Sequence, residues 1–182
     1  LKLLGVQKFW NAGQACISPS RFLVQAPLYN EAVSAFQRIA ESYTLGNGLE
    51  KTTRMGPLAN PRRVAAMQAL VDDAVAQGAR IVTGGVAPQG KGYFYPATVL
   101  ADVPRTARIF NEEPFGPIAA FARFESDEQA IEEANRLPWG LAAYVFTGSA
   151  QRGEKLKNEI ESGLVGINSI AMGYPEQPVG GV

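Results

Sequence analysis

The sequence predicts an α/β fold built on a largely parallel sheet. Short apolar runs alternate with segments whose apolar residues recur at helical spacing, and glycine or proline stands at most of the joins. Neither an internal repeat nor a linker interrupts the chain, so one domain over residues 1–182 is the economical expectation.

Residues 1–11 carry a helical apolar pattern through Leu4, Phe9 and Trp10 that stops near Gly13. Residues 21–26 (RFLVQA) lie between Pro19 and Pro27 and predict a strand. Over residues 28–43, Val33, Phe36, Ile39, Ala40 and Tyr43 recur at helical spacing until Gly46 and Gly48 break the pattern. A loop at 49–58 follows. Asn60 and Pro61 then supply an N-cap and a first-turn proline for a helix carrying Val64, Met67, Leu70, Val71 and Val75, closed by Gly78. Residues 79–83, 97–100 and 118–124 predict strands, with a glycine-rich stretch at 84–92 between the first two. Ser126 and Gln129 form a capping box for a helix expected to run to Leu137, ahead of Pro138. A strand at 141–147, a helix at 150–161 and a strand at 164–168 complete the pattern.

Composition narrows the function. With 46% hydrophobic and 19% charged residues the chain has the balance of a globular protein, not a disordered one. The 17 basic and 17 acidic residues cancel without clustering, so no nucleic-acid footprint exists. Neither an apolar stretch of the roughly 20 residues a membrane span needs nor a secretory pattern is seen, and a cytoplasmic location is expected. The one cysteine cannot form an internal disulfide. Histidine is absent, which excludes Ser–His and Cys–His catalysis within this chain and removes the commonest metal ligand, so no metal site is expected.

Cys16 lies in a loop between a predicted helix end and a predicted strand. A turn suits a nucleophile, because the backbone there can aim a thiol and nearby amides at one point. Thiol catalysis further needs a lowered pKa or a neighbouring base. The competing reading is a small buried hydrophobe, the commoner fate of a free cysteine. Composition alone favours the latter.

The surroundings reverse that order. Phe9-Trp10-Asn11-Ala12-Gly13-Gln14-Ala15-Cys16, with Arg21 five residues on, resembles the cysteine signature of the aldehyde dehydrogenase superfamily. Glu112-Glu113-Pro114-Phe115-Gly116-Pro117 resembles a second signature of that family, with Pro114 where an aliphatic residue is usual. Residues 135–146, the stretch Gly163-Leu164-Val165-Gly166-Ile167-Asn168 and Pro178-Val179-Gly180-Gly181 resemble further family segments, Val179 replacing the usual aromatic. Residues 9–25 lean toward the succinate-semialdehyde dehydrogenase-like branch, and Ser18 stands where some of its members carry a second cysteine.

The resemblance implies a three-layer catalytic domain of aldehyde dehydrogenase type. It implies that Cys16 attacks an aldehyde, a semialdehyde in the favoured branch, whose oxidation to a carboxylic acid passes through a thiohemiacetal and a thioester, with hydride going to NAD or NADP. It implies that Glu113 accepts hydrogen bonds from the nicotinamide ribose, that Phe115 packs beside the nicotinamide, and that Asn168 comes near the substrate. For Asn168 a turn-capping role at the strand end has equal standing. Arg21 is read as a brace of the cysteine loop before a carboxylate anchor. The loop at 169–177 is expected to line the substrate entrance.

By the same resemblance the dinucleotide-binding domain, the oligomerisation arm, the general-base glutamate and the oxyanion asparagine lie outside this chain. The chain then reads as an excised piece, with little affinity for cofactor, negligible turnover alone and a tendency to self-associate, whereas the full-length form is a homo-oligomer. A CoA-acylating relative and a catalytically silent module are the alternatives. A thiol peroxidase or protease is disfavoured by the missing histidine.

Overall fold

A computed structural model describes residues 1–182. Four strands, β1 (Arg21–Gln25), β2 (Arg80–Thr83), β3 (Thr98–Ala101) and β4 (Ile118–Phe124), form one sheet in the order β1-β4-β3-β2. β3 and β4 run parallel, Val99 facing Ala119, whereas β2 pairs antiparallel with β3 across a register shift between Ile81 and Thr83. A second, two-stranded parallel sheet joins β5 (Ala142–Val145) to β6 (Leu164–Ile167). The α/β class expected from the pattern is what forms.

The residues gather into two compact units, Leu1–Arg123 and Phe124–Val182. In the first, β3 and the start of β4 are buried on both faces, which explains their unbroken apolar sequences. Against this sheet pack α1 (Lys2–Phe9), α2 (Tyr29–Glu41) and α3 (Pro61–Ala76). Phe36 of α2 sits among three rings, 4.9 Å from Phe22, 5.2 Å from Phe121 and 5.7 Å from Phe9. Tyr29, also on α2, ties the sheet together. Its hydroxyl accepts the Asp102 N–H at 2.6 Å and donates to the Phe121 carbonyl at 3.2 Å.

α3 starts as expected: the Asn60 side chain accepts the Arg63 N–H, and Pro61 fills the first turn. α1 corrects the expectation for its face. Trp10 is 61% exposed, because the helix stops at Phe9 and the backbone of Trp10 turns extended (ψ 134°). Trp10 is therefore off the helix face that its spacing suggested.

In the second unit, Ser126 caps α4 (Asp127–Ala134) by accepting the Gln129 N–H, and the Gln129 side chain reaches back to the Glu125 N–H at 2.8 Å. The helix ends short of Leu137. Asn135 is drawn off instead to the end of α5 (Ala150–Glu159), where its amide donates to the Glu159 carbonyl at 2.8 Å and accepts the Glu161 N–H at 2.9 Å. No helix is long and apolar enough to cross a membrane.

Candidate active site

The loop that presents Cys16 is shaped by its backbone. Asn11, Ala12 and Gly13 are consecutive residues in the left-handed region, with φ of 50°, 54° and 70°. Two of the three carry a Cβ, so the turn costs conformational energy that neighbouring contacts must offset. Asn11 and Gln14 supply part of it by exchanging side-chain donors for each other's carbonyls, both at 3.1 Å. Gln14 also accepts the Ala59 N–H at 2.8 Å, which fastens the loop to the segment ahead of α3. On the far side of Cys16, Gln7 donates to the Ile17 carbonyl at 3.4 Å and the Ser18 hydroxyl donates to the Lys8 carbonyl at 3.2 Å. The end of α1 thus clasps the residues just after the thiol. Cys16 itself is exposed, which sets aside the buried-hydrophobe reading.

The second signature forms a turn held against the first. Gly13 lies so close to the Gly116 carbonyl that a Cβ at Gly13 would stand 2.2 Å from that oxygen. Only glycine satisfies both this approach and the positive φ. Gly116 in turn packs on Met67 of α3, and Arg63 of the same helix donates to the Pro114 carbonyl. The sequence contains both signatures but no local sign of Arg63, Met67 or Ala59 as their braces, because these act across long separations.

The adjacent carboxylates of this turn separate in role. Glu112 is gripped by Arg108 through two hydrogen bonds, at 2.7 and 3.1 Å, and that guanidinium holds its carboxyl below the usual range. Glu113 is exposed and its carboxylate has no protein partner. Phe115 follows, half-buried and with φ 46°, a backbone state that an aromatic residue adopts only under constraint. The turn therefore offers one unoccupied carboxylate acceptor beside one partly open ring.

Asn168 belongs to the second unit. Its amide accepts the Thr147 N–H and donates to the Thr147 carbonyl, both at 2.9 Å, while its backbone (φ 53°) turns the chain out of β6. This is the geometry of a strand-end brace. The residues after it, with β6, line a cleft of about 530 Å³ that includes Ser169, Met172 and Tyr174. In the first unit a cleft of about 350 Å³ lies along α1, lined by Val6, Trp10, Tyr43 and Arg54 among others.

The fold and these two packed signatures place the chain in a known class. It belongs to the aldehyde dehydrogenase family, whose pattern matches residues 2–182. It is 44% identical over its full length to a putative 4-(hydroxymethyl)benzenesulfonate dehydrogenase of Comamonas testosteroni, and covers 38% of that protein. To a succinate semialdehyde dehydrogenase of Acinetobacter baylyi it is 37% identical over 97% of its length, covering 37% of the relative. Among solved structures, an NADP-dependent enzyme of E. coli superposes with a TM-score of 0.95 at 35% identity, over 98% of this chain and 37% of that one. The NAD+ complex of an aldehyde dehydrogenase from Bacillus cereus gives 0.94 at 34% identity, over 99% and 37%. The chain therefore spans a little over a third of the length of these relatives.

Proposed function

We propose that this chain is the thiol-bearing catalytic part, residues 1–182, of an NAD(P)-dependent aldehyde dehydrogenase, with Cys16 as the nucleophile. The observation that supports it best is the contact between Gly13 and Gly116, which holds the exposed thiol loop against the turn carrying Glu113 and Phe115.

The Cys16 thiolate attacks the aldehyde carbon, the C=O π pair moves to oxygen, and the alkoxide with a proton from water is a thiohemiacetal. Loss of the hydroxyl proton and of the C–H hydride would turn that adduct into a thioester, and NAD(P)+, when held by Glu113 and Phe115, would supply the hydride acceptor. Water then releases the carboxylic acid and restores the thiol. Glu113 would hold the ribose hydroxyls through its open carboxylate, and Phe115 would set the edge of the nicotinamide site. The amide of Asn168 is committed to Thr147, so its contribution to a substrate pocket is to hold the start of the 169–177 loop. The base that activates water belongs to the remainder of the enzyme, and the chain alone is expected to turn over negligibly.

The substrate we infer is an aldehyde with an acidic group at its far end. The named compounds of the relatives share the acidic group, a sulfonate on a benzylic alcohol in one case and the carboxylate of a semialdehyde in the other, and oxidation of that alcohol gives the matching aldehyde. In the full-length enzyme, Cys16→Ser should abolish NAD(P)H formation from succinate semialdehyde and from 4-formylbenzenesulfonate. The product should be the free acid whether or not CoA is present. Retained turnover in the serine variant, or an acyl-CoA product, would overturn the reading.

A further inference from the structure

Lys8 is the one charged residue among the most deeply buried side chains, 1% exposed in the last turn of α1. A methionine of similar length would fill the same volume without the cost of desolvating an amine. No acidic residue compensates it. The charged residues of α2, which packs on α1, are Glu31, Arg38 and Glu41, and all three face solvent. Tyr43, beyond α2, directs its hydroxyl at the Gly5 carbonyl, and Arg54 stacks on the Tyr43 ring. Arg21, at the head of β1, is a cation and offers no acceptor. The turn Trp10–Gly13 contains no titratable side chain, and the loop beyond it contributes only Cys16.

Lys8 also sits where the thiol loop is anchored. Its carbonyl receives the Ser18 hydroxyl, and Gly13 packs within reach of the same oxygen. Its neighbour Gln7 holds Ile17. The α1 turn that buries the amine is therefore the turn that clasps the residues just after Cys16 and meets Gly13 ahead of it.

We propose that Lys8 is a positioning residue for Cys16: its amine must be uncharged for the clasp to close, so protonation of Lys8 loosens the loop and withdraws the thiol from its reactive geometry. The proposal rests on the reading of Cys16 as the nucleophile. Burial alone brings the amine's pKa down to about 7, which puts the transition within the working range of a protein. On acidification the ammonium must reach water or remain unpaired in the core, and either outcome acts on the carbonyl that Ser18 holds.

The test is the rate of alkylation of Cys16 by iodoacetamide from pH 5.5 to 9.5, with thiol ionisation followed separately by thiolate absorbance. After correction for thiolate fraction, the wild-type rate should fall about tenfold per pH unit below 7, as one protonation event requires. Lys8→Met should remove that fall and leave thiol ionisation alone to shape the profile. Superimposable corrected profiles for the two proteins would overturn the role of Lys8. The nucleophile reading fails on a different measurement, an alkylation rate at high pH no faster than that of free cysteine. If Lys8→Met does not fold, amide exchange of Ala15 to Ser18 in the unaltered chain serves instead. Their protection should drop below pH 7, and unchanged protection would refute the proposal.

Discussion

Gly13 and Gly116 touch backbone to backbone, and this contact joins two segments about a hundred residues apart. Gly13→Ala meets the Gly116 carbonyl and a positive φ together, so it should cost about 2–4 kcal/mol of unfolding free energy. Gly116→Ala meets the pliable thioether of Met67 and should cost about 1–3 kcal/mol. Urea denaturation of the two variants checks the order. A Gly13→Ala protein as stable as wild type would contradict the close approach.

The division between the two glutamates predicts a division in kinetics. In the full-length enzyme Glu113→Gln should raise the KM for NAD(P)+, because it weakens the acceptor for the ribose hydroxyls. Glu112→Gln should leave that KM unchanged, since its carboxylate is occupied by Arg108. Equal effects from both substitutions would show that the turn, not the open carboxylate, matters.

Lys8 gives stability a pH dependence of definite sign. Its folded-state pKa, about 7, lies below the ordinary 10.5, so the unfolded chain binds the proton more tightly between those values. Its penalty is absent above pH 10.5, grows as pH falls toward 7 and is constant below that. Lys8→Met should therefore raise stability at neutral pH by about 1–4 kcal/mol and flatten the profile between the two values. Thermal melts from pH 6 to 10 measure both effects. A variant less stable than wild type at pH 7 would mean that the amine has a favourable partner.

The phenylalanine cluster is the point at which α2 is fixed to the sheet. Phe36→Ala removes a fully buried ring in contact with three others and should cost about 3–5 kcal/mol. A midpoint shift in urea with little change in slope would show that the loss is one of packing.

Asn168→Ala should leave the Thr147 N–H and carbonyl without their side-chain partner and force alanine into a positive φ. A loss of about 1–3 kcal/mol is expected. An unchanged melt with altered substrate KM in the full-length enzyme would instead favour direct contact with substrate.

Much of this was legible because local signals agreed with the tertiary outcome. Asn60-Pro61 and Ser126 start helices in the structure where the sequence places them, and the run at 118–124 is a strand end to end. Where the signals failed, a distant contact had intervened. Asn135 leaves α4 for the end of α5, a partner invisible to local periodicity. β2 turns antiparallel at the edge of a sheet read as largely parallel, a matter of connection and not of composition. Trp10 leaves the face that its spacing suggested because the helix ends one residue before it. For the site, motifs reveal Cys16, Glu113 and Phe115, since their residue types are locally specified. The braces, Arg63 and Ala59 among them, depend on a meeting of segments that only the folded chain makes.

The left-handed run at Asn11, Ala12 and Gly13 has a further consequence for timing. While the Lys8 amine is uncharged, a turn over-determined by side-chain crossings and by a glycine contact has few alternative shapes, so the orientation of the thiol is set before any substrate arrives. An arriving aldehyde then meets a loop that has little left to organise, and its binding energy is free for the chemical step.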